Sequence, residues 1–371
     1  PRDNDAVQQL IAYANGLEEG TPFFRMETSQ TQTLNDGALN GYHGVSMFNS
    51  SANVVFNRFS HSLGLSAWPG SNRYAYYEST PFANTMCAIK YLLNRESVTV
   101  ESPYTVSIAS AGSTKLLRNE SYIAPGFLVD SDFADFVSEE YRHLSLDEQA
   151  RLFASVTGVA EPLYEKLGSE ALDATADTSF SKTGGTGTSF RYIAPEGAED
   201  AAVTVRYQVP HDGLVAVSVY APSGTKEVDC SRNGELVMSR KTRVPLVFTL
   251  GACSAGDELT FSFDVDAGTA NNISLQVAMQ DDAVYERGLA ALRDEPWQVT
   301  QWDGEPVELA PTYDPQETNV RGTDAVISFP LTAGAHEIVL TYRSRGLVPG
   351  LTISGVCLLA FLALVIALRR R

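Results

Sequence analysis

The sequence predicts an α+β N-terminal domain followed by β-sandwich(es) and one C-terminal transmembrane helix. Three observations lead there. Residues 1–172 alternate helical and extended patterns. Residues 190–281 carry short strand patterns separated by Gly, Pro and Asn turns. Residues 346–368 contain no charged residue and run into Arg369-Arg370-Arg371; a membrane crossing needs about 20 mostly apolar residues.

In chain order, Asp5 caps a helix from Ala6 to Leu17 with Val7, Leu10, Ile11, Ala14 and Leu17 on its apolar face. Phe23–Thr28 reads as a strand, 29–41 as a polar loop, and Tyr42–Phe48 as an extended segment. Ser51 caps a second helix whose apolar positions are Ala52, Val55, Phe56, Phe59 and Leu63, and Gly64 stops it. Thr80-Pro81 is an N-cap followed by proline at the first helical position. Ala88–Leu93, Tyr104–Ile108, Thr114–Arg118 and Ile123–Val129 read as extended, and Ser145 with Glu148 forms a capping box. Residues 173–189, rich in Asp, Thr, Ser and Gly, read as a linker; no GK[ST] follows, so they are no phosphate loop. The sandwich strands are Val203–Val209, Leu214–Tyr220, Lys226–Cys230, Glu235–Met238, Val244–Leu250, Glu258–Val265 and Ser274–Met279, with a hairpin turn at Asn233-Gly234. Residues 282–345 form a small β-rich membrane-proximal unit that begins with a helix at Ala283–Arg293 and adds strands at Trp297–Leu309 and Ala325–Tyr342.

The chain has 371 residues, 27 Lys+Arg against 45 Asp+Glu, and a net charge of -18. That balance excludes nucleic acid as a partner, because phosphate binding needs a basic surface. The basic tail 369–371, against Arg343 and Arg345 on the near flank, favours the cytoplasmic side, which puts the acidic body outside the membrane; the alternative is a tail-anchored cytoplasmic protein. The opening Pro1-Arg2-Asp3 offers no export signal, so an extracytoplasmic body is expected to follow a longer upstream part.

No histidine has a partner at metal-ligand spacing, no GxSxG elbow occurs, and paired carboxylates sit in polar turns. No catalytic or metal-binding residue is expected here. Cys230 and Cys253 either form a disulfide outside the cell or remain two separate buried thiols. The region richest in recognition chemistry is 35–61. Asn35, His43, Asn49 and His61 supply planar polar groups and Tyr42 a stacking face, a mixture suited to a glycan. Alternatively the same residues cap turns and the helix at Ser51.

The order of several segments carries a resemblance. Phe23-Phe24-Arg25-Met26-Glu27, Asn35-Asp36, Tyr42-His43-Gly44-Val45-Ser46-Met47-Phe48-Asn49-Ser50-Ser51, Ile89-Lys90-Tyr91-Leu92-Leu93, and Asn119-Glu120-Ser121-Tyr122-Ile123-Ala124-Pro125-Gly126-Phe127 occur in turn. Trp302-Asp303-Gly304-Glu305-Pro306-Val307 and Leu331–Ile338 follow, then Tyr342–Leu347 and the apolar run. Together they resemble the C-terminal part of the YfhO-type family of bacterial multi-span membrane proteins. The resemblance implies GT-C-type glycosyltransferases with a lipid-phosphate-linked sugar donor and an envelope glycan acceptor such as teichoic acid. It also implies that the catalytic residue lies in an upstream multi-span core, so this portion recognises acceptor or donor and is inert alone. The segment before Trp297 is shorter than the family's pattern. A rival reading is a single-anchor surface carbohydrate-binding or adhesin protein without catalytic activity.

Overall fold

A computed structural model describes residues 4–19, 23–29, 31–50, 54–67, 72–77, 79–95, 100–127, 129–130, 133, 135–137, 146–175, 177–183, 188–221, 224–293 and 347–369. The strands expected at Trp297–Leu309 and Ala325–Tyr342 lie outside them.

The N-terminal part opens with α1 (Asn4–Leu17), which buries Val7, Leu10, Ile11 and Ala14 as its spacing requires, while Leu17, in the last turn, is exposed. Four strands follow as one sheet: β1 (Arg25–Thr28), β5 (Ile89–Asn94), β6 (Thr105–Ala111) and β7 (Thr114–Asn119), in the order β1-β5-β7-β6, with β1 and β5 parallel. A smaller sheet pairs β2 (Met47–Phe48) and β3 (Ser66–Ala67) with β4 (Arg73–Ala75). The helices are α2 (Asp36–Asn40), α3 (Val54–Ser62), α4 (Pro81–Met86) and α5 (Leu146–Thr157).

Of the expected stops and caps, those at Gly64 and Thr80 are found, Asp5 lies inside α1 instead of capping it, and Ser51 and Ser145 lie outside the described residues. Gly64 takes φ +77 and donates its N–H to the His61 carbonyl, ending α3. Thr80 caps α4 by accepting from the Ala83 N–H. Ile123–Phe127, expected as extended, forms no strand.

The sandwich has two sheets. One contains β8 (Tyr164–Lys166), β10 (Ser179–Thr183), β11 (Ser189–Ile193), β13 (Gly213–Tyr220), β16 (Leu246–Cys253) and β18 (Ala270–Gln280). The other orders β15 (Glu235–Lys241), β14 (Glu227–Arg232), β17 (Glu258–Asp264), β12 (Ala202–Gln208) and β9 (Ala171–Ala174). Val203, Val205 and Tyr207 on β12 face Leu259, Phe261 and Phe263 on β17 with the two-residue period of a half-buried sheet. The hairpin β14–β15 turns at Asn233 (φ +52) and Gly234 (φ +82), as Asn-Gly predicts.

One expectation changes. Residues 173–189 carry the end of β9 and all of β10, each at the rim of a sheet. Their Ser/Thr-rich, exposed character is that of edge strands, which read like a linker because little of them is buried. Of the two readings of Cys230 and Cys253, the separate thiols are found: both are buried and free, on β14 and β16 in opposite sheets.

β13 and β16 are buried along nearly their whole length. One set of their side chains fills the sandwich. Leu214, Ala216 and Val247 join a second core with Phe59, Phe82 and Phe153 of the N-terminal helices. A strand covered on both faces loses its alternation. α6 (Asp282–Arg293) completes that core with Val284, Tyr285, Leu289 and Leu292. Gly288 makes this packing possible: a Cβ there would lie 2.2 Å from Phe153 Cζ of α5.

α7 (Leu347–Arg369) belongs to a second unit and is one continuous helix of 23 residues. Among the described residues, no helix is long and apolar enough to cross a membrane.

Candidate functional site

The residues singled out at 35–61 fall in a layer beside β1. Glu27 organises it. Its carboxylate is buried, with 1% exposure. Oε1 accepts the N–H groups of Val45 and Ser46, each at 2.5 Å, and Oε2 accepts that of Thr28 at 3.1 Å. Burial raises its pKa, and those hydrogen bonds oppose the shift. Gly37 and Gly44 allow the loop to close: a Cβ on Gly37 would lie 2.9 Å from the Tyr42 carbonyl oxygen. Asp36, also buried, accepts from the N–H groups of Gln32 and Thr33 and from the Thr33 hydroxyl.

The five expected contacts divide. Asn35 uses both ends of its amide on Phe48, donating to its carbonyl at 3.0 Å and accepting from its N–H at 2.9 Å. His61 is buried in the last turn of α3. Tyr42 is half-buried; burial, then the charges of Glu27 and Asp36, push its phenol up. His43 is exposed, its ring 4.8 Å from that of Phe23, which also carries the Arg25 guanidinium at 5.1 Å. Asn49 is exposed and donates its backbone N–H to the Asn72 carbonyl.

A second feature was not visible in the sequence. A cleft of ≈ 640 Å³ opens where the segment before β6 meets the sandwich and the start of α6. Glu101, Ser102, Thr105, Asp212 and Asp282 line it. Its assembly depends on Gly251, which takes φ +86 at a bulge between β13 and β16. A Cβ there would lie 2.5 Å from Val100 Cγ1 and 2.6 Å from the Glu101 carbonyl oxygen. The neighbouring Ala252 N–H instead donates to that carbonyl at 2.7 Å, tying the segment to the sandwich. Asp212 accepts from the Ala255 N–H at 2.8 Å. Asp282 accepts from the Tyr104 hydroxyl and the Gln280 amide, each at 2.9 Å. Burial and this bond to Asp282 raise the Tyr104 pKa, so the phenol stays a donor.

Adjoining the cleft is a small cavity of ≈ 20 Å³, the inner lobe, whose lining shares Val100, Ser102, Thr105 and Leu117 with it. Ser79 and Asn84 line the lobe and are 2% and 4% exposed. Ser79 Oγ and Asn84 Oδ1 have no hydrogen-bond partner among the described residues. No group of three or more His, Cys, Asp or Glu among the described residues could hold a metal ion.

Solved structures that align with part of the chain include a family 35 carbohydrate-binding module from Clostridium thermocellum. It is 11% identical, covers 32% of this chain and 98% of its own, and has a TM-score of 0.22. A β-1,3-glucan-binding CBM6 from Bacillus halodurans is 13% identical over 32% of this chain and 96% of its own, also at 0.22. Likeness at that level carries no argument about this protein. No curated protein matches the sequence. The profile described as "Bacterial membrane protein YfhO" matches residues 2–320. That span takes in the buried Glu27 layer, the cleft and the whole sandwich, and the chain belongs to the YfhO family of bacterial membrane proteins.

Proposed function

We propose that this chain is the extracytoplasmic C-terminal portion of a multi-span membrane glycosyltransferase of the GT-C type. The enzyme transfers sugar from a lipid-phosphate-linked donor to an envelope glycan such as teichoic acid, and this portion recognises the glycan. The observation that carries the reading is the family match over residues 2–320. The chemistry of the chain supports it. The body, which carries all 45 Asp+Glu of a chain with a net charge of -18, precedes an uncharged run from Gly346 to Leu368. α7 follows that run from Leu347, and Leu351, Ile353, Leu359 and Phe361 on it are 62–69% exposed, which suits lipid as their solvent. In this arrangement Arg369–Arg371 lie in the cytoplasm, and the upstream core supplies the catalytic residue.

Two measurements test this. A membrane-impermeant thiol reagent should label Glu199→Cys, at an exposed turn, in intact cells; labelling only after lysis overturns the topology. Deleting the gene should remove one sugar substituent from an envelope glycan. Unchanged glycans overturn the transferase reading and favour an adhesin.

A further inference from the structure

The cleft beside β6 differs in kind from the 35–61 layer. Its lining includes three carboxylates, Glu101, Asp212 and Asp282, and no Lys, Arg or His among the described residues. An anionic ligand entering it meets repulsion from these carboxylates. Acceptor oxygens predominate, so the complementary ligand brings hydrogen-bond donors. The inner lobe adds an independent demand. Ser79 Oγ and Asn84 Oδ1 are buried, belong to residues that line this small volume, and lack partners among the described residues. Buried polar atoms are normally satisfied, and an orphaned pair marks a place where a water or ligand hydroxyl belongs. A lobe of ≈ 20 Å³ holds about one such group. The outer volume of ≈ 640 Å³ is within the usual range for small-ligand sites.

We propose that this cleft binds a non-anionic saccharide, neutral or amine-bearing, with one hydroxyl or hydroxymethyl seated in the inner lobe against Ser79 and Asn84. The carboxylates of Glu101 and Asp282 accept hydroxyl or ammonium protons at the rim. Asp282 is held in place by Tyr104 and Gln280, so it presents its remaining lone pairs without rearrangement. The inference deepens the glycan-recognition reading and rests on it for the class of ligand. It assigns the neutral sugar part of a glycan to this cleft and excludes a phosphate-bearing part.

The test uses the full-length protein in detergent. Methyl glycosides of glucose, galactose, glucosamine and N-acetylglucosamine are titrated by ligand-observed NMR, with glucose 1-phosphate as the anionic counterpart. At least one glycoside should bind, and glucose 1-phosphate should bind about tenfold more weakly than the matching glucoside. Asp282→Asn and, separately, the exposed Glu101→Gln should each weaken glycoside binding about tenfold at an unchanged thermal midpoint. Glu101 makes its contact to the sandwich through its backbone, so its variant folds even if Asp282→Asn does not. No binding by any glycoside, preference for the phosphate, or wild-type affinity in Glu101→Gln overturns the cleft assignment. The two readings fail separately. If gene deletion changes envelope glycans and Glu101→Gln restores them at the wild-type rate, the cleft is wrong and the transferase stands. If the cleft binds sugar and deletion changes no glycan, the transferase is wrong and the cleft stands.

Discussion

The layer around Glu27 and the cleft beside β6 are both rich in polar side chains, and they use them in opposite ways. In the layer, Glu27, Asn35 and Asp36 turn inward and satisfy backbone groups of the same layer. Around the cleft, Ser79 Oγ and Asn84 Oδ1 are buried without partners among the described residues and the carboxylates border open volume. A dense polar motif is thus no guide to a binding surface until its hydrogen bonds are traced. A polar group already satisfied within the chain stabilises the fold, and one left unsatisfied has capacity for a ligand.

The largest effect expected from that contrast is at Glu27. Glu27→Ala leaves three N–H groups without their acceptor and should cost about 3 kcal/mol, read as a lower denaturation midpoint. Glu27→Gln keeps an acceptor and should cost less. Because burial places the folded-state pKa above the ordinary value, the sign of the pH effect is fixed. Relative to Glu27→Gln, the wild type is most stable below the unfolded carboxyl pKa and loses that advantage as pH rises through the raised one. A wild-type midpoint in Glu27→Ala breaks the comparison.

Asn35 gives the next effect and sharpens the distinction. Losing its two bonds to Phe48 should cost about 1–2 kcal/mol of stability and leave saccharide affinity unchanged. The opposite result, intact stability with affinity reduced threefold or more, returns the binding site to 35–61. His43→Ala serves the same purpose at an exposed position, where little stability is at stake.

The smallest effect lies next to the cleft. His211 Nε2 meets Glu165 at 3.0 Å, and that bond, with the Asp212 carbonyl, raises the imidazole pKa. Both side chains are more than half exposed, so His211→Ala should cost under about 0.5 kcal/mol after solvent screening. The cost should be full below about pH 6.5 and vanish as pH rises through the raised pKa. A large, pH-independent cost would mean that the ring supports the cleft wall by packing.

Local chemistry accounts for what was legible in the sequence. The face of α1, the Thr80 cap, the Gly64 stop and the Asn233-Gly234 turn each depend on neighbours within a few residues, and each is found. The seven predicted sandwich strands from Val203 to Met279 all form, with ends shifted by a few residues. β10 escaped because an edge strand buries little and can be built from Ser, Lys and Thr. Glu27 escaped because nothing in Met26-Glu27-Thr28 tells an inward carboxylate from an exposed one. The cleft escaped because residues near 101, 212 and 282 meet only through the close approach at Gly251.

The placement of α6 has a consequence for how the chain acquires its structure. Tyr285 shares a hydrogen bond at 3.0 Å with Thr85, two hundred positions earlier, and packs with Phe153 and Tyr104. The N-terminal core therefore lacks one wall until the ribosome has produced residue 293. Contacts of such sequence separation slow folding, because a long stretch must be ordered before they form. During synthesis the apolar faces around Phe82 and Phe153 therefore await a partner from α6, which is made after the whole sandwich.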